Sequence, residues 1–260
     1  MPPVEIDGNP ITGATIDGTD VQEITVDGDV VFSAAPTINF PVAYSNLVAW
    51  YPFDSATYGG SNADDVTAIL GGSGDDTAYD GTVNGATYDA NGGVTDISAG
   101  ANSGAFEFDG SNDSIAIDNS LGTLLPFTIM YWIFSDTYNK GGVGMEDSSF
   151  DEMSSLRHET FEEFRFFSRG NNGDFQVTAP WTINQFQHVA GVDDGSQIKI
   201  YVDGNLEATD TSGGSKSAVD NFIGRTADPE FSDAIIEDVR FYDTDLSGSQ
   251  INQIYNNTKP

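Results

Sequence analysis

Residues 197–209 read QIKIYVDGNLEAT. Ile198, Ile200 and Val202 alternate with Lys199 and Tyr201, which gives an extended chain one apolar face. Asp203-Gly204 follows, a pair suited to the positive φ angles of a type I′ turn, and Leu206 and Ala208 lie on the return strand. The stretch predicts a β-hairpin.

The same pattern extends in both directions. Phe106 and Phe108 share one strand face before Asp109-Gly110, and Val239 and Phe241 share another near the end. Between residues 47 and 243 run LVAWYPF, GAFEFDG, SIAID, FTIMYWIFS, EFRFFSR, DFQVTAP, FQHVAGVD, VDNFIGR and AIIEDVRFYD, joined by segments rich in Gly, Asn and Asp. So many short strands predict an all-β fold, a two-sheet antiparallel sandwich. Only SGSQINQIYNN reads as helix, with Leu246, Ile251, Ile254 and Tyr255 at helical spacing and Ser247 as its N-cap.

Upstream, Ile-Asp-Gly, Ile-Asp-Gly and Val-Asp-Gly recur within residues 1–32. They predict a module of three short hairpin arms that bury too little apolar area to stand alone. Such a module docks on a partner, on a second copy of the chain or on the main domain, and homo-oligomerisation is expected. Residues 33–46 carry Pro36 and Pro41 and read as a linker. Residues 47–260 form the sandwich. Between Asp54 and Asp80 lies a Gly-rich excursion with two acidic pairs, either a solvated acidic loop or a binding loop.

Nine basic residues stand against 41 acidic ones, a net charge of −32. Phosphate-bearing partners need Lys and Arg, so neither nucleic acid nor an anionic membrane is expected. The self-repulsion of such a chain is relieved in molar salt, where the Debye length falls to about 3 Å. In this the composition resembles that of salt-in halophilic archaea and their viruses; a calcium-rich acidic protein is the alternative. There are no cysteines, no run of about 20 apolar residues, and no basic or apolar region in MPPVEIDGNP to act as a secretory signal.

Four stretches in one order, LVAWYPFD, YDGTVNGATY, GAFEFDGSNDSIAID and WTINQFQHVAGVDDGSQIKIYVDGNLEAT, followed by FIGR and AIIEDVRFYDTDLSGSQINQIYNN, resemble the laminin-G-like, concanavalin A-like jelly-roll superfamily, particularly its pentraxin-like branch. The resemblance covers about residues 47–257. It implies binding of glycans or proteins and a calcium ion near one rim. Calcium takes six to eight oxygen ligands, and the candidate donors are Asp80, Asp109, Asp113, Glu237 and Asp238, with Asn112 beside them. Tyr58, Tyr88, Tyr138 and Trp181 are candidate platforms for sugar rings, against the commoner fate of aromatics as core.

No catalytic machinery is expected. HETFEE begins at His158 like a zinc-protease motif but has Glu162 where the second histidine must stand, and His188 reads as a packed structural residue. Glu159, Glu162 and Glu163 come nearest to a glycosidase carboxylate pair, without the alternate-residue spacing on one strand that such enzymes show. Taken together, these features lead to a virion spike, turret or tail-fibre protein of a haloarchaeal virus. It would be made in the host cytoplasm and carried on the virion surface, held to other virion proteins through residues 1–32. Its lectin-like domain would meet a host cell-surface glycan or glycoprotein. The alternatives are a cellular extracellular adhesion module and a glycan-active hydrolase.

Overall fold

The computed structural model describes residues 44–53, 62–63, 79–93, 104–121, 125–146, 152–214, 220–226 and 230–259, together with the backbone of short strands between residues 5 and 33. The chain divides into two compact units, Met1–Asn39 with Ser98–Gly100, and Phe40–Ile97 with Ala101–Pro260.

The first unit holds three antiparallel hairpins: β1 (Glu5–Ile6) with β2 (Asn9–Pro10), β3 (Thr15–Ile16) with β4 (Thr19–Asp20), and β5 (Glu23–Val26) with β6 (Asp29–Ser33). Their registers pair Ile6 with Asn9, Ile16 with Thr19 and Val26 with Asp29, so each hairpin closes across one of the Asp-Gly pairs.

The second unit is a sandwich of two eight-stranded sheets in which every pairing between named strands is antiparallel. In chain order its strands are β7 (Leu47–Tyr51), β8 (Asn62–Ala63), β9 (Gly81–Asn84), β10 (Thr87–Asp89), β11 (Ala105–Asp109), β12 (Ser114–Ile117), β13 (Phe127–Phe134) and β14 (Gly141–Glu146). There follow β15 (Glu152–Glu159), β16 (Glu163–Gly170), β17 (Gly173–Pro180), β18 (Gln187–Asp193), β19 (Gln197–Val202), β20 (Asn205–Thr211), β21 (Asp220–Ile223) and β22 (Asp233–Tyr242). The first sheet runs β10-β11-β22-β13-β18-β19-β20, with β7 also on β22; the second runs β17-β16-β15-β14-β21-β12-β9-β8.

Period-two alternation explains the core. Phe106, Phe108, Ile129, Tyr131, Ile198, Ile200, Val239 and Phe241 of the first sheet pack against Val143, Leu156, Phe164, Phe166 and Val177 of the second. The deciding hairpin is present: β19 and β20 flank Asp203 (φ 48°) and Gly204 (φ 76°), the left-handed pair of a I′ turn. A bulge between Ile200 and Tyr201 pairs Ile200 with Ala208 and Tyr201 with Leu206. The two-residue turn already sets Leu206 opposite Tyr201, off the face of Ile198 and Ile200, and Leu206 is exposed, whereas the bulge returns Ala208 to the core face.

The long β22 serves two neighbours on one side, β11 along its first half and β7 along its second. The change-over lies at Asp238, whose φ of 51° marks a bulge. The single α-helix among the described residues, α1 (Gly248–Thr258), starts at Ser247 with a reciprocal capping box to Gln250. Ile251 and Ile254 are buried, and Trp132 of β13 stacks on Tyr255 while donating to Thr258 Oγ1 at 3.0 Å.

Candidate functional site

In β15 and β16 the core takes Leu156, His158, Phe164 and Phe166, so Arg157, Glu159, Glu163 and Arg165 lie on the opposite face of the second sheet, where Arg157 and Glu159 are buried and Glu163 and Arg165 are part-exposed. The register sets Arg157 opposite Arg165 and Glu159 opposite Glu163. Like charges facing each other across strands are unfavourable, and opposite charges two residues along each strand, with one diagonal pair between strands, resolve the conflict. Glu159 Oε1 lies 2.8 Å from Arg157 Nε and 3.1 Å from Arg165 Nη1, and Arg165 Nη2 lies 3.1 Å from Glu163 Oε1.

Two further groups close the cluster. Lys140, just before β14, lies 2.6 Å from Glu230 and 3.9 Å from Glu159, and Glu230 Oε2 lies 3.5 Å from Arg157 Nη1. Glu230 comes from the segment after β21, which approaches β14 because that strand is glycine-rich. A Cβ on Gly144 would stand 3.0 Å from Thr226 Cα, and one on Gly141 would stand 2.4 Å from the Ser232 nitrogen. Among the described residues three cations and three carboxylates thus form a charge-balanced island on a chain of net charge −32. Arg165 Nε is buried and has no hydrogen-bond acceptor among the described residues.

Farther along the same sheet Arg225 lies over the Phe222 ring at 3.6 Å and reaches Glu146 at 2.5 Å. At the hairpin tip between β15 and β16, Phe161 is 75% exposed. Glu162 beside it adopts a left-handed φ of 61°, and its carbonyl accepts from the Trp181 N–H at 2.9 Å.

The expected glycan platforms are elsewhere. Trp181 is 2% exposed, enclosed by Tyr138, His158 and Phe164, and it has no free ring face for a sugar. Tyr138 stands edge-on to Trp181, and Tyr88 packs on Phe106; both are half-buried against the core. All three pack against the core, Trp181 within it and Tyr88 and Tyr138 at its margin. Tyr58 lies outside the described residues.

The five expected calcium donors do not converge. Asp238 is buried, accepting from Trp50 Nε1 at 2.6 Å and from Arg240 Nε and Nη2 at 2.9 Å each, so a cation there would compete with a guanidinium. Glu237 is buried at the position paired with Trp132. Asp109 and Asp113 build their own turn: Asp109 accepts from the Ser111 N–H, and Asp113 accepts from the Asp109 N–H. Burial raises the Asp113 carboxyl above the ordinary carboxylate range. The Asp80 carbonyl accepts from the Asp118 N–H. Among the described residues no group of three or more His, Cys, Asp or Glu side chains is arranged to hold a metal ion, and this donor set does not fit calcium.

Both histidines are internal. His158 Nε2 lies 2.9 Å from Asn139 Oδ1 with its ring on Trp181, and burial lowers its pKa to about 3. His188 sits between Trp132 and Tyr255, its pKa lowered to about 3 by burial and by Arg240. Neither touches the outward island.

The basic members of that island were legible in part. Three of the five arginines fall between residues 157 and 169, and the alternation in RHETFEEFR places Arg157 and Glu159 on one face. Nothing local announces Glu230, which arrives from a loop about 70 residues downstream, or the exposure of Phe161.

Residues 109–252 match the model of the Concanavalin A-like lectin/glucanases superfamily. Among solved structures, the botulinum neurotoxin serotype D binding domain superposes with a TM-score of 0.58 at 12% identity, over 82% of this chain and 51% of that one. The serotype D ligand-binding domain in complex with N-acetylneuraminic acid gives 0.58 at 11% identity, over 82% and 51%. Trypanosoma rangeli sialidase in complex with sialic acid gives 0.57 at 17%, over 90% and 35%. The chain therefore spans about half the length of the toxin domains and about a third of the sialidase, and the likeness is one of fold. A search among curated proteins finds no match.

Proposed function

From a chain that belongs to the Concanavalin A-like lectin/glucanases superfamily, we propose a glycan-binding attachment protein carried on the virion surface of a halophilic virus, with the outward face of the second sheet as its binding surface. The observation that carries the reading is the neutral island of Lys140, Arg157, Glu159, Glu163, Arg165 and Glu230. It gathers three of nine basic residues on one face of a strongly acidic chain, beside an exposed aromatic. Fixed donors and acceptors next to an aromatic ring match what a polyhydroxylated ligand requires. The lectin-like fold agrees with such a role.

Binding is proposed in preference to catalysis. A glycosidase needs two carboxyl groups placed on either side of the scissile bond, whereas the carboxylates of Glu159 and Glu163 are both engaged by guanidinium groups. Calcium is no part of the proposal, given the donor geometry above. The virion setting draws on the charge of −32, which suits molar salt, and on the N-terminal hairpins as an attachment module through which copies of the chain associate with one another and with other virion proteins. Antibody against the sandwich, applied to purified particles from the halophilic culture that makes the chain, tests the setting. Labelling at the particle surface is expected, and particles free of the chain would sink the virion role.

A further inference from the structure

The ion pairs of the island, together with the hairpin tip above it, narrow the ligand class. Among the described residues Lys140, Arg157 and Arg165 are matched by Glu159, Glu163 and Glu230, so none of these three cations is left over to neutralise an anionic ligand. A carboxylated or sulfated sugar would have to displace one of these carboxylates and approach a chain of net charge −32. A hydroxyl group meets neither obstacle, because it donates to a carboxylate and accepts from a guanidinium at once. Glu163 and Glu230 keep 27% and 22% of their side-chain surface, and Arg165 keeps 20%, so both kinds of partner are reachable from solvent.

Phe161 supplies the apolar counterpart. It and Leu206 are the exposed large hydrophobic residues among those described, and only Phe161 adjoins the island. Its three-residue loop, Thr160 to Glu162, is held by the left-handed Glu162 and by the Trp181 N–H donating to the Glu162 carbonyl. Glu159 and Glu163, the residues that close this loop, are both paired to Arg165. The ring is thus presented on a braced turn directly beyond the polar cluster, which lowers the ordering cost of binding.

We infer that the island takes an uncharged, hydroxyl-rich sugar, whose ring stacks on Phe161 while its hydroxyls bond to Arg165, Glu163 and Glu230. The inference rests on the glycan-binding reading above and specifies its ligand. Stacking, and hydrogen bonds in which the ligand carries no charge, depend little on salt, so affinity persists where the Debye length is about 3 Å.

The test uses the full chain and immobilised neutral oligosaccharides beside matched uronate- or sulfate-bearing ones, at low and at molar salt. The wild type is expected to prefer the neutral set at both salt concentrations. Phe161→Ala should lose about tenfold or more in affinity with an unchanged melting temperature, and Phe161→Trp should retain binding. A preference for the acidic set, or equal binding by Phe161→Ala, would overturn the inference while leaving glycan binding intact. A wild type that binds neither set would overturn the glycan-binding reading itself.

Discussion

Among the described residues neither ring nitrogen of His188 has a hydrogen-bond partner, and the ring is enclosed by Trp132 and Tyr255. Burial, with Arg240 adding to it, holds the folded-state pKa near 3, against 6.5 for the free side chain. The unfolded chain therefore binds the extra proton as pH falls, and the stability this group contributes above pH 6.5 is lost progressively down to pH 3. Urea unfolding across that window should show His188→Phe losing less stability on acidification than the wild type, the difference growing by up to about 1.4 kcal/mol per pH unit. Parallel pH profiles for the two proteins would refute this account of His188. The packed role of His188 was readable from its apolar strand. The burial of Trp181 was not, because its neighbours Tyr138, His158 and Phe164 come from three other segments that only the folded chain assembles.

At the scale of elements, the two sheets are fastened at one end by a buried carboxylate. Asp193 ends β18 in the first sheet and accepts from Ser168 of β16 in the second at 2.8 Å, from Ser212 beyond β20 at 2.6 Å, and from the Gly195 N–H at 3.0 Å. Gly213 and Gly214 donate in turn to the two serine oxygens. The strands close in because Gly170 has no side chain: a Cβ there would stand 2.5 Å from the Gly213 carbonyl oxygen. Removing the acceptor leaves buried hydroxyls unpaired, so Asp193→Ala should cost roughly 3 kcal/mol in denaturant unfolding, with Asp193→Asn milder. A loss within experimental error would show the latch to be dispensable. The hairpin of residues 197–209 was legible because alternation and the Asp-Gly pair are both local signals, whereas the same combination at Asp109-Gly110 leads from β11 in the first sheet to β12 in the second. The bulges at Ile200/Tyr201 and at Asp238 were not, since they answer to the twist and pairing of neighbouring strands.

Over the whole molecule, acidic residues outnumber basic ones more than four to one, yet the outward face of the second sheet carries a balanced island. The fold supplies a rigid sheet on which Arg157, Glu159, Glu163 and Arg165 keep fixed spacing, and a loop that brings Glu230 to them. That arrangement is what distinguishes this face from a merely solvated acidic surface. Saturable binding of the intact chain to an oligosaccharide panel in molar salt, wild type against Arg165→Ala, is the most direct measurement. The account predicts saturable binding by the wild type and its loss in an Arg165→Ala that melts at a lower temperature but is folded under the binding conditions; no saturable binding by the wild type, or equal binding by a folded Arg165→Ala, would contradict it.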